Sequence, residues 1–426
     1  MAERDMEQLR WERLVTWLRN RGMRTDGLKV ERRPRDDGGY GLFARDACAP
    51  GEILFTIPAG VMLSVKTLQP LYPPPARKLS AVQLVSLHLC RHRPPDGAES
   101  TDPVFGPYIS ALPRDFGFHP LTWLVEPAHP GNALLKHIPP APKRELEDLE
   151  KRFSSDWAAC QKHLNDTSRT ESDFLWAWLN VNTRCMHYRV KPSASDPDNL
   201  ALCPVMDFAN HRPAVPHMNP RPTKEFPARA DMSFVASDEP ILAGEELYFC
   251  YGPHSNRTLF VEYGFAIREA TGEVDVEDLL EAEIQRGRDG EQLRQLLEDE
   301  GYWGDWTLHS HPEPHISFRL LAALRLLSSV NQRGVERTTI DPNAIVAWRD
   351  TLLGTRERLS KDVEEGCKEI LLELCRLVSA RATNALADLQ QLNWKWSSFT
   401  LETANVLWEE ERTVANGLMQ YHHALW

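Results

Sequence analysis

Asp207-Phe208-Ala209-Asn210-His211 and Cys250-Tyr251-Gly252, with Tyr263-Gly264-Phe265 close behind, are the words on which the reading of this chain turns. A short apolar run ends in a polar cluster, and aromatic residues follow. Asn210 and His211 can hydrogen-bond a ligand or lock the local backbone, while Tyr251, Tyr263 and Phe265 could wall a narrow, dry channel. Taken alone, an Asn-His pair is more often a satisfied polar corner than a site.

Upstream, Thr170 or Ser172 can cap a helix within Arg169 to His187, whose Phe174, Trp176, Ala177, Trp178 and Val181 are bulky and apolar. It ends in Asn182-Thr183-Arg184. Arg184 reads either as a helix-dipole partner or as an anion clamp, since a guanidinium can hold a carboxylate in a bidentate fork. Downstream, prolines 213, 216, 220, 222 and 227 predict an irregular loop over Arg212 to Arg229. Met232 to Ala236 and Glu246 to Phe249 then read as two strands with Ala243-Gly244-Glu245-Glu246 as the turn between them, and Tyr251 follows the second.

Toward the N-terminus, Met1 to Arg24 reads as an amphipathic helix with Leu9, Leu14, Trp17 and Leu18 on one face, and no signal peptide or membrane span is visible. Leu28 to Glu31, Gly41 to Ala44 and Glu52 to Ile57 are short apolar runs separated by Asp36-Asp37-Gly38-Gly39 and Ala49-Pro50-Gly51, which predicts a small β-meander. Helical patterning over Lys78 to Arg91 and Lys143 to Asn165 interrupts it, and the sheet resumes near Leu200. Beyond Arg268 the pattern turns helical through Val276 to Gly301, Ile316 to Val330, Asp341 to Leu359, Lys361 to Gln391 and Thr400 to Leu418.

At 426 residues and 42% hydrophobic composition, the chain can build two or three real cores. Its formal charge of −12 argues against a generalised nucleic-acid binder and mildly favours basic substrates. The eight cysteines show no Cys-x-x-Cys spacing, so a zinc cluster is not expected, and His211 and His217 lack a ligand partner at metal-binding spacing. Most of the cysteines sit among apolar neighbours, which fits reduced thiols in a cytosolic or nuclear compartment.

The order of Gly39-Tyr40-Gly41-Leu42-Phe43-Ala44, Ala49-Pro50-Gly51-Glu52, Val181-Asn182-Thr183-Arg184, Asp207-Phe208-Ala209-Asn210-His211, and Tyr251-Gly252 with Tyr263-Gly264-Phe265 resembles that of SET-domain methyltransferases. The chain is most similar to the Rubisco large-subunit methyltransferase class, and within it to the SET domain-containing protein 4 branch. The likeness covers residues ~5 to 270 well and the remainder only by its helical character. It implies an α+β fold: an N-terminal helix at 1–24, a β-rich SET domain at 25–268 split by a helical insertion at about 70–170, and an all-α substrate-binding-like domain at 269–426.

The resemblance further implies transfer of a methyl group from S-adenosylmethionine to a lysine ε-amine of a histone or non-histone protein, leaving S-adenosylhomocysteine, with no metal expected. Tyr251 resembles the catalytic tyrosine. Gly39, Tyr40, Gly41, Arg184, Asp207, Asn210, His211, Tyr251 and Phe265 match cofactor-binding positions, with Arg184 as the carboxylate clamp. Tyr263, Phe265, Met206 and Cys185 match the substrate channel. Expected partners are limited to a protein bearing the target lysine, without direct nucleic-acid or membrane binding, in a monomer of the cytoplasm or nucleus. The alternatives are a catalytically silent SET-fold binding module and a protein-histidine methyltransferase. Cys185 and Met206 weigh against the latter, because actin-histidine enzymes carry asparagine and tryptophan there.

Overall fold

Trp11, Leu14 and Leu18 recur on one side of the N-terminal helix Ala2–Asn20 and are buried, each contributing about 1.5–3 kcal/mol of apolar burial. Leu9, expected on that face, is 36% exposed, so Trp11 takes its place in the stripe. The computed structural model describes all residues except Met1, Gly27, 36–38, 165–167, Val215, Ala228, Glu269, Thr271, Arg288, 331–340, 393–397 and 422–426, together with the side chains of residues 2–4 and 398. The expected turn residues Asp36, Asp37 and Gly38, and Asn165 at the end of an expected helix, lie outside the described residues.

The fold is mixed α+β and divides into two units: Met1–Gly117 with Leu124–Glu126 and Asp148–Pro253, and Phe118–Trp123 with Pro127–Glu147 and His254–Trp426. In the first unit, β1 (Val30–Pro34) and β2 (Tyr40–Ala44) form an antiparallel hairpin. The third strand does not continue a meander. β3 (Ile53–Ile57) leaves the hairpin and enters a separate sheet of order β3-β8-β7, because its buried Leu54, Phe55 and Ile57 need a second apolar strand to pack on. That strand is β8 (Met232–Ala236), buried at every position, and Phe55 stacks on Phe234 with ring centroids 4.7 Å apart.

β7 (Met218–Pro222) falls where an irregular loop was expected. Antiparallel strands present their amide groups to a partner at alternate residues only. Thr223 N–H donates to the Asp231 carbonyl at 2.9 Å, which sets the odd positions toward β8. Pro220 and Pro222 therefore occupy the even positions of an edge strand, where no ladder donor is needed. The remaining strands of this unit are β4 (Cys185–His187) paired with β5 (Leu200–Leu202), and β6 (Asn210–His211) paired in parallel with β9 (Tyr248–Phe249). β9 thus pairs with the Asn-His segment and not with β8 through a hairpin, the turn at Gly244 (φ +83) serving to cross between sheets.

Helices Ala81–Arg91, Gly106–Ala111, Pro120–Val125 and Pro140–Gln161 supply the expected helical insertion. Helix Glu171–Arg184 starts at a reciprocal cap: Thr170 Oγ1 accepts from Asp173 N–H at 3.2 Å and Asp173 Oδ2 accepts from Thr170 N–H at 2.9 Å. It is buried all round from Phe174 to Val181. Trp176 and Trp178 satisfy their indole N–H groups on the Pro113 carbonyl (2.7 Å) and Asp156 Oδ2 (2.9 Å), so both large rings can be buried without an orphaned donor.

The second unit is mainly helical, with Glu277–Arg286, Gly290–Asp299, Phe318–Val330, Pro342–Leu352, Lys361–Gln391 and Ser398–Tyr421 around a core that includes Trp306, Trp348, Leu371, Val378 and Leu418. It also carries a small antiparallel sheet of β10 (Glu273–Asp275), β11 (Thr307–His309) and β12 (His315–Ile316). Three-residue strands give no detectable period-2 pattern, which is why helical periodicity dominates the sequence of this region. No helix among the described residues is long and apolar enough to cross a membrane.

Candidate active site

The first unit holds ten of the sequence-selected site residues, with Asn210 and His211 on one strand of the β6–β9 pair. Asn210 lies opposite Tyr248 and His211 opposite Phe249. Asn210 Nδ2 donates to the Tyr40 carbonyl at 3.2 Å and to Glu246 Oε1 at 2.7 Å, tying the β1–β2 hairpin to the Asn-His strand. With both amide protons engaged, Asn210 Oδ1 is the atom left to accept a hydrogen bond. A Cβ on Gly41 would come within 2.5 Å of Glu246 Oε1 and 3.2 Å of Asn210 Nδ2, so any larger residue there would push the Glu246 carboxylate aside. Gly39 has φ +73, and a Cβ there would meet nothing within 4 Å, leaving open space beside the hairpin turn.

Glu246 organises this region, although the sequence places it only at the junction of a turn and a strand. Besides Asn210 it accepts from the Tyr248 hydroxyl at 2.7 Å and pairs with Arg35 at 3.4 Å, with its side chain only 13% exposed. A signal was available in the repeated acid of Gly244-Glu245-Glu246, since an acid directly preceding the apolar Leu247 and an expected strand needs a partner if that segment is buried. Arg32 is a second residue that sequence reasoning missed. Its guanidinium lies over the rings of Tyr40 (4.1 Å) and Phe208 (4.8 Å) and bonds Glu7 at 2.6 Å.

Arg184, at the last turn of its helix, donates from one terminal nitrogen to the Asp207 carbonyl, while its Nε is buried with no hydrogen-bond partner among the described residues. Asp207 is likewise half-satisfied: Oδ2 accepts from the Tyr108 hydroxyl at 2.8 Å and Oδ1 is buried without a partner. Burial pushes the Asp207 carboxyl up to about 6, against the opposing pull of Arg184 and the Tyr108 hydrogen bond. Val205, which introduces this segment, holds φ 72 and ψ −53, a conformation that costs a β-branched residue energy and is found where surrounding structure fixes it.

Tyr251 donates its hydroxyl hydrogen to the Ala209 carbonyl at 2.9 Å, and its backbone N–H donates to His211 Nδ1 at 3.1 Å. Nδ1 is therefore the acceptor in this contact. The His211 and Tyr251 rings are 5.0 Å apart. Burial raises the Tyr251 hydroxyl to about 12, so it is a neutral phenol at physiological pH. Its hydrogen is committed to Ala209, so any further hydrogen bond to this hydroxyl oxygen would be one it accepts.

Met206 is 4% exposed in the turn that carries Asp207. The Cys185 thiol, at the start of β4, is shifted upward by burial and then by Asp207, which makes it a neutral, inert wall and not a nucleophile. Tyr263 and Phe265 belong to the second unit, with their rings 6.1 Å apart. There they flank Gly264 (φ +82) at the end of a π-helical turn, Leu259–Tyr263, and a Cβ on Gly264 would meet Phe118 at 3.0 Å and His119 at 3.1 Å. Buried His119 accepts from Leu121 N–H at 3.2 Å through Nδ1 and meets the Glu262 carbonyl at 3.3 Å through Nε2, which braces this turn.

These residues could hold the carboxylate and ammonium of an amino-acid group. A buried guanidinium nitrogen has no acceptor among the described residues, the Asn210 amide oxygen stands beside two engaged amide protons, and a Cβ on Gly39 would meet nothing within 4 Å. The sequence profile of the SET domain matches residues 39–252, half of the chain. The ribosomal lysine N-methyltransferase set11 of Schizosaccharomyces pombe is 25% identical over 415 residues, covering 96% of this chain and 97% of that one. SET domain-containing protein 4 of Homo sapiens is 25% identical, covering 97% and 91%. The fold is similar to that in the crystal structure of the SET domain of LSMT bound to lysine and AdoHcy (TM-score 0.65, 18% identity, 98% and 91% covered) and to that of Rubisco LSMT bound to AdoMet (TM-score 0.61, 18% identity, 97% and 92% covered).

Proposed function

Because the chain belongs to the SET-domain family, we propose that it is an S-adenosylmethionine-dependent protein-lysine N-methyltransferase acting on the ε-amine of a protein substrate. Bound S-adenosylmethionine would supply an electrophilic methyl group on a sulfonium centre and leave as S-adenosylhomocysteine. The observation that carries the reading is the convergence of the unpartnered Arg184 Nε, the committed amide of Asn210 and the hydroxyl of Tyr251 on one small region.

Arg184 would hold the cofactor carboxylate and Asn210 Oδ1 its ammonium. Gly39, Tyr40 and Gly41 would present main-chain groups, and Asp207 with His211 would fix the surrounding backbone. Tyr251 orients and does not deprotonate: a neutral phenol whose hydrogen is already donated offers only acceptor lone pairs to the incoming amine. A lysine entering a buried channel next to a sulfonium loses its proton to water before reaching the methyl group, because low dielectric and a like charge both disfavour ammonium. Met206 and Cys185 would line that channel.

The domain layout we favour keeps 25–268 as the catalytic domain with its insertion at about 70–170, and 269–426 as a substrate-binding-like domain. The fission-yeast relative's name supports ribosomal proteins as a substrate class and the cytoplasm as the place of action. Incubation of the full chain with labelled S-adenosylmethionine and a proteome extract, against Tyr251→Phe and Asn210→Ala, tests the reading. Labelled protein bands that depend on both residues are expected. Cofactor binding without any labelled band would favour a silent binding module instead.

A further inference from the structure

Within the first unit, three ligand-type side chains meet outside the proposed active site. His88 lies in helix Ala81–Arg91, His92 caps its C-terminus one turn later, and Asp102 comes from the following loop. Their available ligand atoms all lie within 4.8 Å of one another. Asp102 Oδ2 is 3.3 Å from His88 Nε2 and 3.2 Å from His92 Nε2. In a tetrahedral zinc site with bonds of about 2.0–2.1 Å, neighbouring ligand atoms stand about 3.3 Å apart.

The groups behind the ligands are in place. The Tyr72 hydroxyl is 3.0 Å from His88 Nδ1, so an Nδ1–H can donate to it and leave a lone pair on Nε2. Asp102 Oδ1 accepts from the backbone N–H groups of Val104 (2.8 Å) and Phe105, which holds Oδ2 toward the imidazoles. Ser100 Oγ donates to the His92 carbonyl at 2.8 Å, joining loop to helix. His88 and Asp102 are buried, while the His92 side chain is 28% exposed and gives an ion a path in and a water a fourth position.

A hydrogen-bonded triad without metal also fits these distances, with Tyr72 donating to His88 and both histidines donating to Asp102. One atom speaks against it. His88 is 2% exposed, yet among the described residues its Nε2 has no hydrogen-bond partner even though the carboxylate lies 3.3 Å away. A buried N–H would be left unpaired, at a cost that proteins rarely carry. A lone pair directed at a shared cation needs no N–H···O alignment. We infer that His88, His92 and Asp102 form a structural site for a zinc-class divalent cation, remote in role from methyl transfer, that pins the 99–105 loop to helix Ala81–Arg91.

The test uses the tag-free full chain, stripped with a chelator and titrated with Zn²⁺ and Co²⁺ alone. One equivalent is expected to bind, with tetrahedral Co²⁺ absorption and an upward melting shift on metal addition. His92→Ala and His92→Gln, at a partly exposed position, are expected to leave the protein folded by circular dichroism, weaken binding at least tenfold and abolish the shift. Absence of stoichiometric binding, or binding unchanged in both variants, would establish the hydrogen-bonded triad and overturn the site.

Discussion

Replacing Glu246 by alanine should weaken cofactor binding without touching the cofactor. The carboxylate makes 2.7 Å hydrogen bonds to Asn210 and to Tyr248, and bonds to a charged acceptor of this kind contribute about 1.5–3 kcal/mol each. Only the first bears on the ligand. Without it, Asn210 keeps one 3.2 Å bond to the Tyr40 carbonyl, its amide is free to turn, and binding must fix it again. That ordering costs about 0.5–1.5 kcal/mol, or a roughly 2- to 13-fold rise in the dissociation constant. Glu246→Gln retains an acceptor oxygen for Asn210 and should stay within about threefold. Calorimetric titration with S-adenosylhomocysteine reads the effect directly, with thermal melting to show that the variant is folded. A folded Glu246→Ala protein that binds as tightly as the wild type would refute the idea that this carboxylate pre-orients the site.

Gly41→Ala should act through the same residue, since the new methyl displaces the Glu246 carboxylate. The two variants are therefore expected to be non-additive, and a double-mutant cycle that sums within about 0.3–0.5 kcal/mol would break the link. Asp207 has a folded-state value raised to about 6 from 3.8, so the protonated form is favoured by folding. Its contribution is fully present below pH 4 and is lost as pH rises through 6, at most about 3 kcal/mol. Asp207→Asn should flatten denaturant-measured stability between pH 4 and 6, and parallel slopes for the two proteins would contradict the assignment. In the second unit, Trp348 is fully buried and donates to the Ala322 carbonyl at 2.9 Å. Trp348→Ala should cost about 3–5 kcal/mol, visible as a large drop in melting temperature.

Elements with a strong local signal were legible in the sequence. Helix Lys361–Gln391 has the bounds its leucine periodicity implied, and Thr170 supplies the cap its position suggested. The candidate site was legible only as an ordered series of short words, because each word alone is an ordinary turn or corner. What could not be read was decided by pairing between distant residues. β3 seeks β8 across some 180 residues, β9 pairs with β6, and Glu246 acquires its role only when the hairpin at Tyr40 is folded over Asn210. Proline density suggested a loop at 212–229 because a sequence does not show which amide positions of a strand face outward.

That strand has a consequence for how the protein behaves in a crowded solution. A sheet edge invites a second chain to extend the ladder, and natural proteins guard such edges. Along β7 the outward positions 220 and 222 offer carbonyls but no amide hydrogens, so an incoming strand would find its own acceptors unanswered at two successive sites. The same prolines that obscured the strand in the sequence thus make its free edge a poor template for aggregation.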